Sequence, residues 1–142
     1  MFNTQKIEQF LGANKHIGIL LLRIFVGGRL CYGVIDNVLS WERMIEFSDF
    51  LKANDFLFPT ISALVSVYVQ FIGAMLISFG FKIRIASFLL TINFLVALLF
   101  VHFPANDTVE GMTPALAMLF GCLTLLFTGA EKISLENYLR SK

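Results

Sequence analysis

Charge is scarce in this chain, and its absence is concentrated. No ionised side chain occurs within Phe56–Phe81, Ile85–Asn106 or Gly111–Ala130. Charged residues make up only 15% of the sequence, against about 25% in soluble domains. A helix gains about 1.5 Å per residue, so roughly 20 residues cross a hydrocarbon core about 30 Å thick. Each stretch is long enough, and a fourth, Ile17–Ile35, matches them apart from Arg23 and Arg29. A mean hydropathy of +0.77 points the same way. The sequence predicts an all-α membrane protein: a four-transmembrane-helix bundle forming one integral membrane domain, residues 1–142, with spans at about 17–36, 57–80, 84–103 and 112–130. Within 142 residues this leaves no room for a separate soluble domain.

Other shortages exclude whole classes of function. With a net charge of +1 and no basic block, no nucleic-acid partner is expected. The two cysteines, Cys31 and Cys122, form no CxxC pair, and counted from the span ends they differ in depth by roughly 6 Å. A disulfide is disfavoured, and both read as small packing residues. Only two histidines occur, His16 and His102, on opposite sides of the bilayer, so haem is disfavoured. No metal-ligand motif and no glycine-rich dinucleotide loop is present, so no metal and no built-in cofactor is expected. A cleaved signal sequence is not expected, because Arg23 would split its apolar core and no small-x-small site follows.

Where charge does occur, it is distributed unevenly. Lys6 and Lys15 precede span one, Lys82 and Arg84 sit in the turn after span two, and Lys132, Arg140 and Lys142 follow span four. The loop after span three has no lysine or arginine, and the first loop is dominated by acids. The positive-inside rule then places both termini in the cytoplasm and loops one and three outside, as expected of a multi-pass protein of the bacterial inner (cytoplasmic) membrane. Pro59 and Pro114 are expected in the first turns of spans two and four, with Thr113 capping span four. Short amphipathic interfacial helices are expected before span one and in loop one. The first presents Ile7, Phe10 and Leu11, with Gly12 as a stop. The second is capped by Ser40 and carries Trp41, Met44, Ile45 and Leu51 on one side; it either lies in the interface or packs on the mouth of the bundle.

The two arginines of span one are its anomaly. An arginine at the helix centre costs about 2.5–3.5 kcal/mol on insertion scales. The span's apolar residues return about 0.3–0.6 kcal/mol each, so it inserts with little margin. Arg23 lies roughly 9 Å in and is expected to snorkel to the cytoplasmic side as a structural arginine. Arg29 lies roughly 18 Å in, in a midplane layer with Gln70 and Asn93, each roughly 15 Å from the cytoplasmic end of its own span. These three, with Tyr68, are candidate ligand- or quinone-binding residues. A stripe from Arg29 through Tyr32 or Gly33 to Asp36 leads to a candidate outer polar mouth of Tyr32, Asp36, His102 and Glu110. Two readings stay open: a polar cavity ending at a buried arginine, or interhelical hydrogen bonds of about 1 kcal/mol each that fix the bundle. Gly27, Gly28, Gly33, Gly73, Ala74 and Gly121 suit close helix approach.

Leu21-Leu22-Arg23 followed by glycines, Gln70 followed by Gly73 and Gly80, Arg84 after the short turn, Ala97 and His102, Glu110, and Gly129 leading to Ser134-Leu135-Glu136 recur here in a set order. That pattern resembles the DoxX family of small four-helix bacterial membrane proteins, over about residues 17–136. Two departures stand out: Asp36-Asn37 where the family commonly has a lysine, and Gln70 where it commonly has a glutamate. The resemblance implies a redox- or quinone-associated small subunit of a membrane complex, acting if enzymatic as a quinone-linked oxidoreductase subunit with a partner. The alternative is a non-catalytic accessory or assembly subunit of a larger inner-membrane complex. Expected partners are the lipid bilayer and other membrane subunits or further copies of the chain.

Overall fold

The computed structural model describes residues 4–142 and consists of helices joined by short turns. In chain order these are α1 (Thr4–Ala13), α2 (Lys15–Leu39), α3 (Trp41–Ala53), α4 (Pro59–Phe79), α5 (Ile83–Ala97), a π-helical segment (Leu98–His102), α6 (Val109–Thr128) and α7 (Leu135–Arg140). Four are long and apolar enough to cross a membrane: α2, α4, α5 with its π segment, and α6. Between 28% and 33% of each span's most apolar stretch is buried. The remainder, including Phe25, Ile61, Ile85, Phe88, Phe120 and Phe127, is exposed and apolar. A soluble monomer rarely exposes so much contiguous apolar surface, and a bilayer accounts for it.

The spans pack in the cyclic order α2, α4, α5, α6, with α6 closing back on α2. Glycines set the spacing. A Cβ on Gly27 would lie 2.9 Å from the Ala74 carbonyl, and one on Gly121 2.9 Å from Val26 Cγ2. The α4 backbone therefore comes up against α2 at Gly27, while Gly121 makes room on α6 for the Val26 side chain. Gly28, one residue on, faces open space. The main core gathers Val26, Leu30, Ile77, Leu90, Met118, Cys122 and Leu125. Both thiols are free, Cys122 buried and Cys31 half-buried.

Several boundaries follow the sequence and others correct it. Pro59 sits in the first turn of α4, where no N–H partner is lost. Ser40 caps α3 by accepting from Arg43 N. Span four, however, begins earlier than expected. Thr108 caps α6 by accepting from Gly111 N at 3.2 Å, so Pro114 lies inside the helix. Thr113 instead donates to the Val109 carbonyl. Likewise α1 runs past Gly12 to a turn at Asn14, whose amide donates back to the Phe10 carbonyl. It buries nothing, and Phe10 and Leu11 are exposed.

Loop one settles on the bundle. Helix α3 buries Met44, Ser48 and Leu51 against Val34, Ala63 and Val67, and Ser48 Oγ lies 2.9 Å from Thr60 Oγ1 on α4. Trp41 and Phe50 stay exposed. The α3 helix is thus a cap over one end of the bundle.

The opposite end is tied together by Arg23. Its side chain is only 2% exposed. Nε donates to the Ile77 carbonyl at 2.9 Å and Nη2 to that of Ser78 at 3.1 Å, both in the last turn of α4. Nη1 donates to the Ile133 carbonyl at 2.6 Å and to that of Ala130 at 3.4 Å, beyond α6. The guanidinium does turn toward this end, but it ends on carbonyls rather than in water. Helix C-termini leave carbonyls unpaired and carry partial negative charge, which a planar fork of donors matches. Gly80 completes the arrangement: its φ is 74°, and any Cβ there would run into Arg23 and Ser134. At the same face Lys15 pairs with Glu131 at 3.4 Å, so the start of the first span meets the segment after the last.

Candidate functional site

Gln70 and His102 stand at a seam between two cavities. The larger, 520 Å³, opens between α3, α4 and α5, with walls that include Phe47, Phe56, Val69 and Leu89 and polar tips at Ser66, Gln70, Asn93 and His102. The smaller, 360 Å³, lies between α2, α5 and α6 and includes Phe25, Arg29, Gly33, Phe94 and Met118. Gln70, Phe94, Ala97 and His102 border both.

The π segment explains how His102 reaches this seam. In an unbroken α-helix Asn93 and His102, nine residues apart, would point about 180° from each other. Phe103 N instead donates to the Leu98 carbonyl at 2.9 Å, five residues back, which is the π-type bond. One extra residue in a turn reduces the separation to about 80°. Asn93 and His102 can then line the same cavity, as they do.

The polar groups differ in how they are satisfied. Gln70 Nε2 donates to Ser66 Oγ at 3.2 Å, one turn back on α4, which leaves its carbonyl oxygen and second N–H available. The Asn93 amide has no hydrogen-bond partner among the described residues, although it lies half-buried in a span. His102 Nδ1 lies 2.6 Å from Asp107 Oδ2. An ionised carboxylate only accepts, so Nδ1 carries the proton and Nε2 is left for another partner. Arg29 is the counterpart of Arg23: exposed at its cavity, with no hydrogen bond or ion pair among the described residues.

The structure thus gathers Arg29, Gln70, Asn93 and His102 around one seam. The other candidates lie elsewhere. Tyr68 is 45% exposed and borders a separate hollow of 260 Å³ between α4 and α5. Tyr32 is 79% exposed on the outside of α2, and its neighbour Gly33 takes the cavity position instead. Asp36 shares a face with Arg29 but lies about 10 Å further along the helix, where its carboxylate accepts from Asn37 N. Glu110 is exposed in the first turn of α6. The expected outer mouth of Tyr32, Asp36, His102 and Glu110 therefore does not assemble. Its place is taken by the His102–Asp107 pair. Asp107 stood in the sequence only as a loop acid five residues after His102, and Ser66 only as a serine four before Gln70.

Comparison with known families matches residues 18–103 to the DoxX family model. Those residues run from α2 through the π segment, the first three spans and more than half of the chain, and the chain belongs to the DoxX family. No curated protein and no solved structure matches the chain.

Proposed function

For this DoxX-family membrane protein we propose a redox role, as a small inner-membrane subunit that binds a quinone headgroup in the cleft between α3, α4 and α5. The observation that carries this reading is the cleft: 520 Å³ with an apolar wall and few polar tips. Ligand sites of this kind measure about 300–1,000 Å³ and use few polar groups to orient an otherwise apolar ligand. A quinone ring is flat and apolar, and its carbonyl oxygens accept hydrogen bonds. The unpartnered Asn93 amide and the free N–H of Gln70 are donors suited to them. Exposed Ile61, Val65, Leu89 and Ile92 flank the opening, so a long isoprenoid tail can stay in the lipid.

Bound there, a quinone supplies two-electron, two-proton chemistry, with the electrons delivered by a partner protein. The chain's own residues bind and orient the ring and hold a proton beside it. His102, fixed by Asp107, is that proton holder, and Arg29 adds positive charge from the neighbouring cavity. In this reading the face that carries Lys15, Lys82, Arg84 and Lys132 is cytoplasmic.

Quinone extracted from the purified protein and measured by mass spectrometry tests the reading. Asn93→Leu and Gln70→Leu should each reduce retained quinone by about tenfold, the effect of losing about 1.4 kcal/mol of binding. Tyr68→Phe, outside the cleft, should retain it. A wild-type protein that holds no quinone, and whose melting temperature does not move with a short-chain quinone, would falsify the reading. A large partner co-purifying with a ligand-free chain would favour an accessory or assembly role instead.

A further inference from the structure

A polar cavity of 540 Å³ lies at the other end of the bundle, between the start of α5, the segment after α6, and α7. Four cations line it: Lys82, Arg84, Lys132 and Arg140. Two carboxylates line it as well, Glu131 and Glu136, and both are already engaged. Glu131 pairs with Lys15 at 3.4 Å. Glu136 pairs with Arg140 at 2.8 Å and accepts from Lys82 N at 3.2 Å. The side chains of Lys82, Arg84 and Lys132 have no carboxylate partner among the described residues. Arg84 makes one long hydrogen bond, 3.4 Å, to the Phe127 carbonyl.

We propose that this cavity binds the phosphate headgroup of an anionic phospholipid. Three unpaired cations in one cavity suit a phosphate, whose oxygens accept several charged hydrogen bonds at once. The position of the cavity favours a lipid as the phosphate's source. It sits where two spans reach the bundle end, and exposed Ile85, Phe88 and Phe127 continue from it along α5 and α6. A headgroup in the cavity would leave its acyl chains on that apolar surface. Basic pockets at the ends of membrane helices take anionic headgroups in this way. The proposal is independent of the quinone reading, since no residue is shared between the two sites.

Native mass spectrometry of the full chain, titrated with phosphatidylglycerol or phosphatidylcholine, tests it. Phosphatidylglycerol adducts should persist under activation that strips phosphatidylcholine. The triple variant Lys82→Asn, Arg84→Gln, Lys132→Gln should lose about fivefold in phosphatidylglycerol affinity for each cation removed. Asparagine is chosen because Lys82 has a left-handed backbone, φ 49°, which asparagine tolerates. If the triple variant fails to fold, Lys132→Glu alone carries the test: it is exposed and unpartnered, and it should weaken binding by at least about fivefold. Lys52→Gln, at the opposite end, should change nothing. Equal retention of the two lipids, or unchanged binding in the variants that fold, overturns the site. Displacement of phosphatidylglycerol by inorganic phosphate at matched ionic strength overturns the lipid and leaves a free-phosphate site.

Discussion

Arg23 and Arg29 lie six residues apart on one helix and live in opposite environments. Arg23 is enclosed and donates to carbonyls from two separate segments; Arg29 opens on a cavity without a protein partner. Their replacements should diverge accordingly. Arg23→Lys keeps the charge but cannot span both segments with one ammonium, and each buried carbonyl left unpaired costs about 1–3 kcal/mol. Thermal unfolding in detergent should show a loss of about 2–4 kcal/mol. Arg29→Leu removes an insertion cost of about 2.5–3.5 kcal/mol and strands no partner, so expression and melting temperature should hold or rise. Equal destabilisation by the two changes would contradict this assignment. Both arginines were visible in the sequence as anomalies, but their partners were not. Backbone carbonyls exist at every position, so no residue type marks which of them a guanidinium will find.

Glycines Gly27 and Gly28 give the same lesson for a whole element. Gly27→Ala would push a methyl group toward the Ala74 backbone, and overpacking of this kind costs about 1–3 kcal/mol. Gly28→Ala meets nothing within 4 Å and should be neutral or stabilising by up to about 1 kcal/mol through helix propensity. Equilibrium unfolding of the two variants side by side checks the difference. The π segment is the second element with a consequence. Inserting one alanine after Leu99, with the π turn kept, should add about 100° of winding and swing His102 away from Asn93. Helix content by circular dichroism should survive while quinone retention falls. Retention at the wild-type level would mean that His102 has no part in the cleft.

At the scale of the whole molecule, an even number of spans brings the start of α2 and the segment after α6 to one face, as the Lys15–Glu131 pair shows directly. Seven of the chain's lysines and arginines flank the spans at that face, and Arg43 and Lys52 belong to loop one at the other. Reporter fusions after Asn106 and at Lys142 should therefore report opposite sides of the membrane, with Lys142 cytoplasmic. Finding them on the same side would dismantle the four-span arrangement. The same architecture keeps the proposed lipid site and the quinone cleft at opposite ends of the bundle, so mutations in one should leave the ligand of the other in place.

The sequence by itself determined the class of molecule, the number of spans and the family, because the hydrophobic length needed to cross a bilayer is written directly in runs of apolar residues. Depth counting also placed Arg29, Gln70 and Asn93 in one layer, since rise per residue is the same in every helix. Tertiary structure alone decided azimuth and pairing. Residues at equal depth still differ in the direction they face, which depends on how the helices rotate against one another. That rotation left Tyr68 and Tyr32 outside while Gly33 turned inward. It also took a π turn, which carries no sequence signature here, to bring His102 round to Asn93. Capping went astray for a related reason. Thr108 and Thr113 are both chemically able to cap α6, and the helix extends to the outermost residue whose backbone the loop permits to adopt helical geometry.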